Sequence, residues 1–303
     1  MRVAVYLPLL LSVLAPFGAR YVAERCEPRL ATWLLTASAV ILGAAGTVSL
    51  GLLAVAGLLR LPWLADLGHW SAPMAQRDSP AELSVSLLAG LGLGGAVVMA
   101  ARMLWRRART LAAAALEAAC LPVRDGLVVV EDETPDAFAL PGLPGRVVVS
   151  TGMLRTLDAS EHAVLLAHER AHLTGHHYAF VALAQLGAAA NPFLRPLAAA
   201  VGYTVERWAD ESAAAVTGDR VRVARAVGKA ALAARHTRGL ALGIRGLRGA
   251  GPVPRRVAAL LAPRPVRRPV LTAVAVALPA LAVVSGVEAV RDLHLLLEAV
   301  GAG

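Results

Sequence analysis

The sequence predicts a predominantly α-helical polytopic membrane protein. It has four transmembrane helices and a cytoplasmic α+β domain between spans three and four. Three observations carry this prediction. Of 303 residues, 57% are hydrophobic and only 17% charged, against about 45–50% and about 25% in soluble globular chains. Four apolar stretches reach the roughly 20 residues that a helix needs to cross a bilayer. Between the third and fourth lie short β-prone runs and amphiphilic helical segments. This composition excludes an intrinsically disordered chain and argues against a wholly soluble one.

The spans run from about 3–19, 31–59, 83–104 and 270–290. The second is long for a perpendicular helix, which predicts tilt or an end emerging near Trp63. The first reads as an anchor rather than a cleaved signal peptide, because only Arg2 precedes it and no small-x-small site follows. Arginines near span ends set the orientation. Arg20, Arg25 and Arg29 cluster between the first two spans, Arg102, Arg106, Arg107 and Arg109 follow the third, and Arg264, Arg267 and Arg268 precede the fourth. Arg2, Arg60, Arg77 and Arg291 mark the sparser side. Both termini and residues 61–82 are therefore expected outside, and 105–268 inside the cell membrane, in the cytoplasm. Residues 1–104 carry three spans, 105–268 the cytoplasmic domain, and 269–303 the last span with a short outer tail.

Cys26 and Cys120 match neither a C-x-x-C nor a zinc-ribbon spacing and are expected as reduced, apolar residues. Gly90-Leu-Gly-Leu-Gly-Gly95 fits a dinucleotide fingerprint on paper, but no strand precedes it and it lies mid-span. Its Gly90-x-x-x-Gly94 spacing reads as close helix packing in lipid.

After an alanine-rich helical run at 108–119, Gly126–Val130, Ala137–Leu140 and Arg146–Val149 are strand signals. Pro135, Pro141, Gly142, Pro144 and Gly145 punctuate them, which predicts a small sheet of about three strands. Asp158 and Glu161 form a capping-box pattern that opens a helix. Along that helix runs His168-Glu-Arg-Ala-His172. Histidines four apart share one helix face and can address one metal ion, with Glu169 beside them as a general base. Glu206 and Asp210 follow 34 residues after His172. They are one helical turn apart, so one carboxylate can complete a His-His-Glu triad and the other can orient a ligand imidazole. Gly218 is the expected stop of that helix. His177, five residues past His172, falls off the ligand face and is expected at a surface or interface, as is His176. Tyr178–Val201 is apolar but interrupted by Gln185, Asn191-Pro192 and Arg195. It reads as helices packed on the core or dipping into the membrane interface rather than as a fifth span.

At this point the chain resembles the BlaR/MecR-type antirepressor membrane metallopeptidases. The span order, Ala137-Phe-Ala-Leu140 ahead of Leu166-Ala-His-Glu-Arg-Ala-His172, Asn191-Pro-Phe193 and Glu206-Arg-Trp-Ala-Asp210 carry the resemblance over about residues 1–290. It implies a gluzincin zinc-protease domain with Zn2+ held by His168, His172 and Glu206. It further implies Glu169 as general base, Asp210 in support of His168, and peptide hydrolysis as the reaction. The substrate would be a peptide or protein, and the resemblance suggests a cytoplasmic repressor (a winged-helix transcriptional repressor would fit), the protein itself, or both. We expect an edge strand, Asp136, Ala137, Phe138, Ala139 and Leu140, to hold it extended by strand addition. His236, Tyr203 and an arginine are candidates to stabilise the oxyanion.

The HtpX-type quality-control proteases share these zinc motifs and form the alternative reading. A non-catalytic scaffold with a structural zinc would have no need of Glu169. The best-known BlaR/MecR members carry a large extracellular penicillin-binding sensor after the fourth span. About a dozen residues follow Val290 here, so a short form lacking that sensor is expected.

The net charge of +9 is a local property. From Arg220 to Arg268 there are 13 basic residues and no acidic one, leaving 17 basic against 21 acidic elsewhere. No aromatic interleaves those arginines and no recognition module is visible, so direct nucleic-acid binding is not expected. The segment is expected to lie against the inner leaflet of the lipid bilayer.

Overall fold

Long apolar runs should fold as helices, and the first three do, the first of them with Pro16 in its interior. In the computed structural model, which describes residues 4–58, 83–119, 126–142, 144–238, 253–264 and 268–301, these are α1 (Leu7–Arg25), α2 (Pro28–Leu58) and α3 (Leu83–Ala119). The expected outer connection 61–82, Cys120 and the middle of the basic segment, 239–252, lie outside the described residues.

Helix α1 extends six residues past the end of the apolar stretch. Arg20 and Glu24 pair across one turn at 2.9 Å, and such i,i+4 pairs favour continued helix. Arg20 and Arg25 therefore occupy the last turns of α1, and only Cys26 and Glu27 separate it from α2, where Pro28 opens the new helix. Helix α3 likewise continues through Arg102–Arg109 into the alanine-rich run, because alanine and arginine are both strong helix formers.

The three expected strands form: β1 (Leu127–Val130), β2 (Ala137–Leu140) and β3 (Arg146–Ser150), in spatial order β1-β3-β2. β1 pairs parallel with β3, and β2 pairs antiparallel with it, Ala137 opposite Val149 and Leu140 opposite Arg146. β2 is thus an edge of the sheet. Alternation gives the sheet two apolar faces. Val128, Leu140 and Val148 pack together on one, while Val147 and Val149 pack with Met153 and Leu157 on the other.

There follow α4 (Thr151–Thr156), α5 (Ala159–Thr174), α6 (His177–Ala190), a 3-10 turn at Pro192–Leu194, α7 (Arg195–Thr217), α8 (Arg220–Arg238), α9 (Val253–Leu261) and α10 (Pro269–Gly301). Among the described residues four helices, α1, α2, α3 and α10, are long and apolar enough to cross a membrane. Their outward residues are large and apolar, with Phe17 81%, Leu91 75% and Val270 76% exposed. Such surface is costly in water and suited to acyl chains.

The glycines of α3 make a different contact from the one their spacing predicts. Gly90 and Gly92 face Ala54 and Leu50 of α2, whereas Gly94 and Gly95 meet nothing within 4 Å. The close approach therefore ends at Gly92, short of Gly94. A tighter crossing lies between α2 and α6. Gly187 sits against the Ala39 carbonyl and Gly43, and a Cβ at Gly187 would overlap that carbonyl. Helix α6 begins beside Trp33, whose ring is 4.8 Å from that of Phe180, and ends with Asn191 against Gly46. At 1.5 Å per residue it follows α2 for roughly 20 Å, too short a path to be a fifth span. Leu35 and Leu42 of α2, Leu11 of α1, and Leu194, Leu197 and Val201 share one buried cluster. Helices α6 and α7 are thereby built into the membrane-length bundle.

Candidate metal centre and active site

Two helices meet at the site, each held from a different side. Helix α5 starts where Asp158 accepts hydrogen bonds from the Ser160 and Glu161 amides, and Glu161 accepts one from the Asp158 amide at 2.9 Å. This is the capping box its sequence predicts, and it satisfies donors that a helix start leaves open. The Lys229 ammonium of α8 pairs with buried Glu161 at 2.6 Å. Helix α5 then presents His168, Glu169 and His172. Helix α7 is fastened to the α1–α2 corner instead. The Thr204 and Thr32 hydroxyl oxygens lie 2.9 Å apart, and Arg207 donates to the Ala23 carbonyl at 2.6 Å. The Arg29 guanidinium stands over the Trp208 ring. These anchors flank Glu206, and Gly218 ends the helix in the left-handed region at φ 71°.

His168, His172 and Glu206 each bring one ligand atom within 4.8 Å of the others. The two Nε2 atoms are 3.2 Å apart. Glu206 Oε2 is 3.7 Å from His168 Nε2, and its Oε1 is 3.6 Å from His172 Nε2. A tetrahedral ion with bonds near 2.0–2.1 Å sets ligand atoms about 3.3 Å apart, so this donor set fits zinc. The second ring nitrogens agree with it. His168 Nδ1 lies 3.1 Å from Asp210 Oδ1, and His172 Nδ1 lies 3.0 Å from His177 Nδ1. With both Nδ1 atoms engaged, both Nε2 atoms turn to the same point.

Arg256 of α9 closes the site. Its guanidinium is bidentate on Asp210, at 2.8 and 2.6 Å, and also reaches Glu206 Oε2 at 2.8 Å. A fork of planar donors suits two carboxylates at once. Burial alone would favour the neutral forms of Glu206 and Asp210. His168 and Arg256 outweigh it and hold both well below the usual carboxylate range. Burial also opposes a charge on His168, but Asp210 and Glu206 lift that imidazole to about 10. His172 goes the other way, to about 4, through burial and the positive charges of His168 and Arg256, although Glu206 opposes them. Two similar imidazoles are thus driven apart by their neighbours.

A cavity of about 190 Å³ opens on the cluster, lined among others by Asp136, Ala137, His168, Glu169, Glu206 and Arg256. Of the expected substrate strand, Asp136 and Ala137 reach the cavity, and Phe138, Ala139 and Leu140 do not line it. Leu140 points into the opposite face of the sheet, as strand alternation requires. Tyr203 lies under Arg207 and Arg255, away from the cavity wall. The His236 side chain lies outside the described residues.

Two residues at the centre escaped the sequence reading. His177 is not at a surface but 1% exposed and against His172. Gly175, two positions earlier, is the signal for the turn that brings it back. Arg256 was hidden in the long basic run, although it faces inward from the short amphipathic stretch 253–261.

Residues 100–199 match the family model Peptidase family M48. No curated protein and no solved structure matches the chain. The matched segment contains His168, Glu169 and His172 and ends before Glu206. A match to this peptidase family, a His-His-Glu cluster able to hold a metal ion, and four membrane-length apolar helices are together consistent with a membrane metallopeptidase.

Proposed function

We propose that this protein is an integral-membrane zinc metalloendopeptidase that hydrolyses peptide bonds on the cytoplasmic side, in a regulatory role. The observation that carries the reading is the convergence of His168, His172 and Glu206 in a cavity that also contains Glu169 and the end of an edge strand. Zinc held by His168, His172 and Glu206 would supply Lewis acidity and lower the pKa of water toward neutrality. Glu169, 8% exposed in the cavity wall, accepts the proton of the attacking water and returns it to the leaving amine. Asp210, 3.1 Å from His168 Nδ1, orients that ring by charge, and Arg256 fixes both carboxylates. Asp136 and Ala137, where β2 enters the cavity, receive the substrate backbone by strand addition. Arg256 lines the cavity and is our assignment for the oxyanion-facing charge.

The substrate in this reading is a winged-helix transcriptional repressor, the protein itself, or both. The domain 105–268 faces the cytoplasm and both termini lie outside. Glu169→Gln should retain zinc and lose cleavage by at least about 10²-fold, within the range for general base catalysis. Full activity in that variant would overturn the assignment. Incubating membranes that hold the wild-type chain with a candidate repressor and with an unfolded general substrate separates the roles. Site-specific scission of the repressor supports regulation, and indiscriminate degradation supports the quality-control alternative.

A further inference from the structure

We propose that His177 is a positioning residue for the metal ligand His172, acting as the hydrogen-bond acceptor that fixes its tautomer. The inference rests on the zinc reading of His168, His172 and Glu206. Helix α5 ends at Thr174, and Gly175 and His176 then reverse the chain. His176 adopts φ 50° and ψ 39°, a left-handed conformation that few non-glycine residues take, histidine being with asparagine and aspartate among those that do. This turn costs free energy and exposes His176, and its product is the return of His177 onto the ligand. Position 175 has no room for a side chain, because a Cβ there would collide with the His177 ring.

The ring that the turn delivers is 1% exposed. Its centroid is 4.9 Å from that of His172 and 4.5 Å from that of Trp208, the neighbour but one of Glu206. Its Nδ1 is 3.0 Å from His172 Nδ1, and its Nε2 is buried with no hydrogen-bond partner. Proton counting then gives the direction. His172 can offer Nε2 to a metal only if its proton sits on Nδ1. That proton points at His177 Nδ1, which must accept, so the His177 proton resides on the unpartnered Nε2. The reverse arrangement would protonate His172 at Nε2 and disable it. Burial of an imidazole nitrogen without a partner carries a cost, and the bond to His172 is the contact that gives it a purpose. The two ligand imidazoles thus differ, His168 backed by a carboxylate and His172 by a neutral ring.

Asparagine and glutamine at 177 test this, since an asparagine oxygen falls near the Nδ1 position and a glutamine oxygen near Nε2. Wild type, His177→Asn, His177→Gln and His177→Phe are purified as full chains in nanodiscs. Zn2+ affinity is measured by competition with a chromophoric chelator, and the Co2+ form by its d–d absorption. Partners of this kind are worth about 10–100-fold in metal affinity. His177→Gln and His177→Phe should lose that factor and shift the Co2+ bands, and His177→Asn should stay within a few-fold of wild type. If Phe does not fold, the Asn–Gln pair decides. Equal affinities in Asn and Gln, or wild-type affinity and spectrum in Phe, would overturn the proposal. A wild-type chain that binds no Zn2+ would sink the underlying zinc reading instead.

Discussion

Replacing Arg256 by methionine keeps the volume of the side chain's stem and removes its charge from a cluster that also holds Asp210, Glu206 and His168. In the metal-free site two carboxylates, Glu206 and Asp210, face two cations, Arg256 and a His168 held charged up to about 10. The variant leaves one carboxylate uncompensated, and Asp210 is only 2% exposed. Removing one partner of a buried ion pair costs about 3–5 kcal/mol. At about 2–4 °C per kcal/mol this lowers the melting temperature of the metal-free protein by roughly 6–20 °C.

A bound dication restores the missing positive charge and no longer meets the repulsion of a guanidinium beside it. Zinc should therefore raise the melting temperature more in Arg256→Met than in wild type. The assay is a thermal melt of both proteins in nanodiscs, with chelator and with excess Zn2+. Asp210→Asn added to Arg256→Met should recover part of the loss without metal, because it removes the charge left alone. A metal-free variant that melts with wild type, or a zinc shift no larger than that of wild type, would refute this account of the site.

Two further outcomes follow from the packing and the charge pattern. Gly187→Leu forces a side chain onto the Ala39 carbonyl of α2, and backbone cannot yield as a side chain can. It should cost at least the about 1–3 kcal/mol of an overpacked core, visible as a lower melting temperature and loss of a monodisperse peak in size-exclusion chromatography. Reporter fusions near Met74 and Asp132 should lie on opposite sides of the membrane, and a common side would overturn the proposed topology.

The parts of the molecule legible in the sequence are those set by local rules. The Asp158–Glu161 box, the Gly218 stop and three short strands between proline and glycine breaks were readable because each depends on residues a few positions apart. The His168–His172 spacing and the Glu206–Asp210 pair pointed to a metal site, and the resemblance to the BlaR/MecR-type family, not the spacing, singled out Glu206 as the third ligand. What was not legible depends on contacts between distant segments. Arg255 pairs with Glu24 at 2.9 Å, Arg220 with Glu211 at 2.6 Å, Lys229 with Glu161, and Arg256 with Asp210 and Glu206. Each looked like one more charge in a basic run awaiting a lipid headgroup. The acidic partners lie 9 to 231 residues away in the chain, so sequence proximity could not reveal them. His177 failed for a related reason. Helical geometry put it off the ligand face, but the helix ends at Thr174 and the chain turns before His177 is reached.

Glu206 has a different foundation from His168 and His172. His168 and His172 ride on α5, which packs on the sheet, whereas Glu206 sits between Thr204 and Arg207, both bonded to the α1–α2 corner. The backbone that carries Glu206 is therefore held in part by membrane-length helices outside the segment 105–268. Cutting that segment free would expose Leu194, Leu197 and Val201, each at most 1% exposed in the whole chain. At about 1.5–3 kcal/mol for each such side chain, the loss approaches the entire stability of an ordinary domain, about 5–15 kcal/mol. We expect purified 105–268 to aggregate or to bind no stoichiometric zinc, while the full chain in nanodiscs binds one ion. A monodisperse fragment with one zinc per chain would show that the sheet-side elements alone can orient Glu206, and that the membrane corner is only a tether.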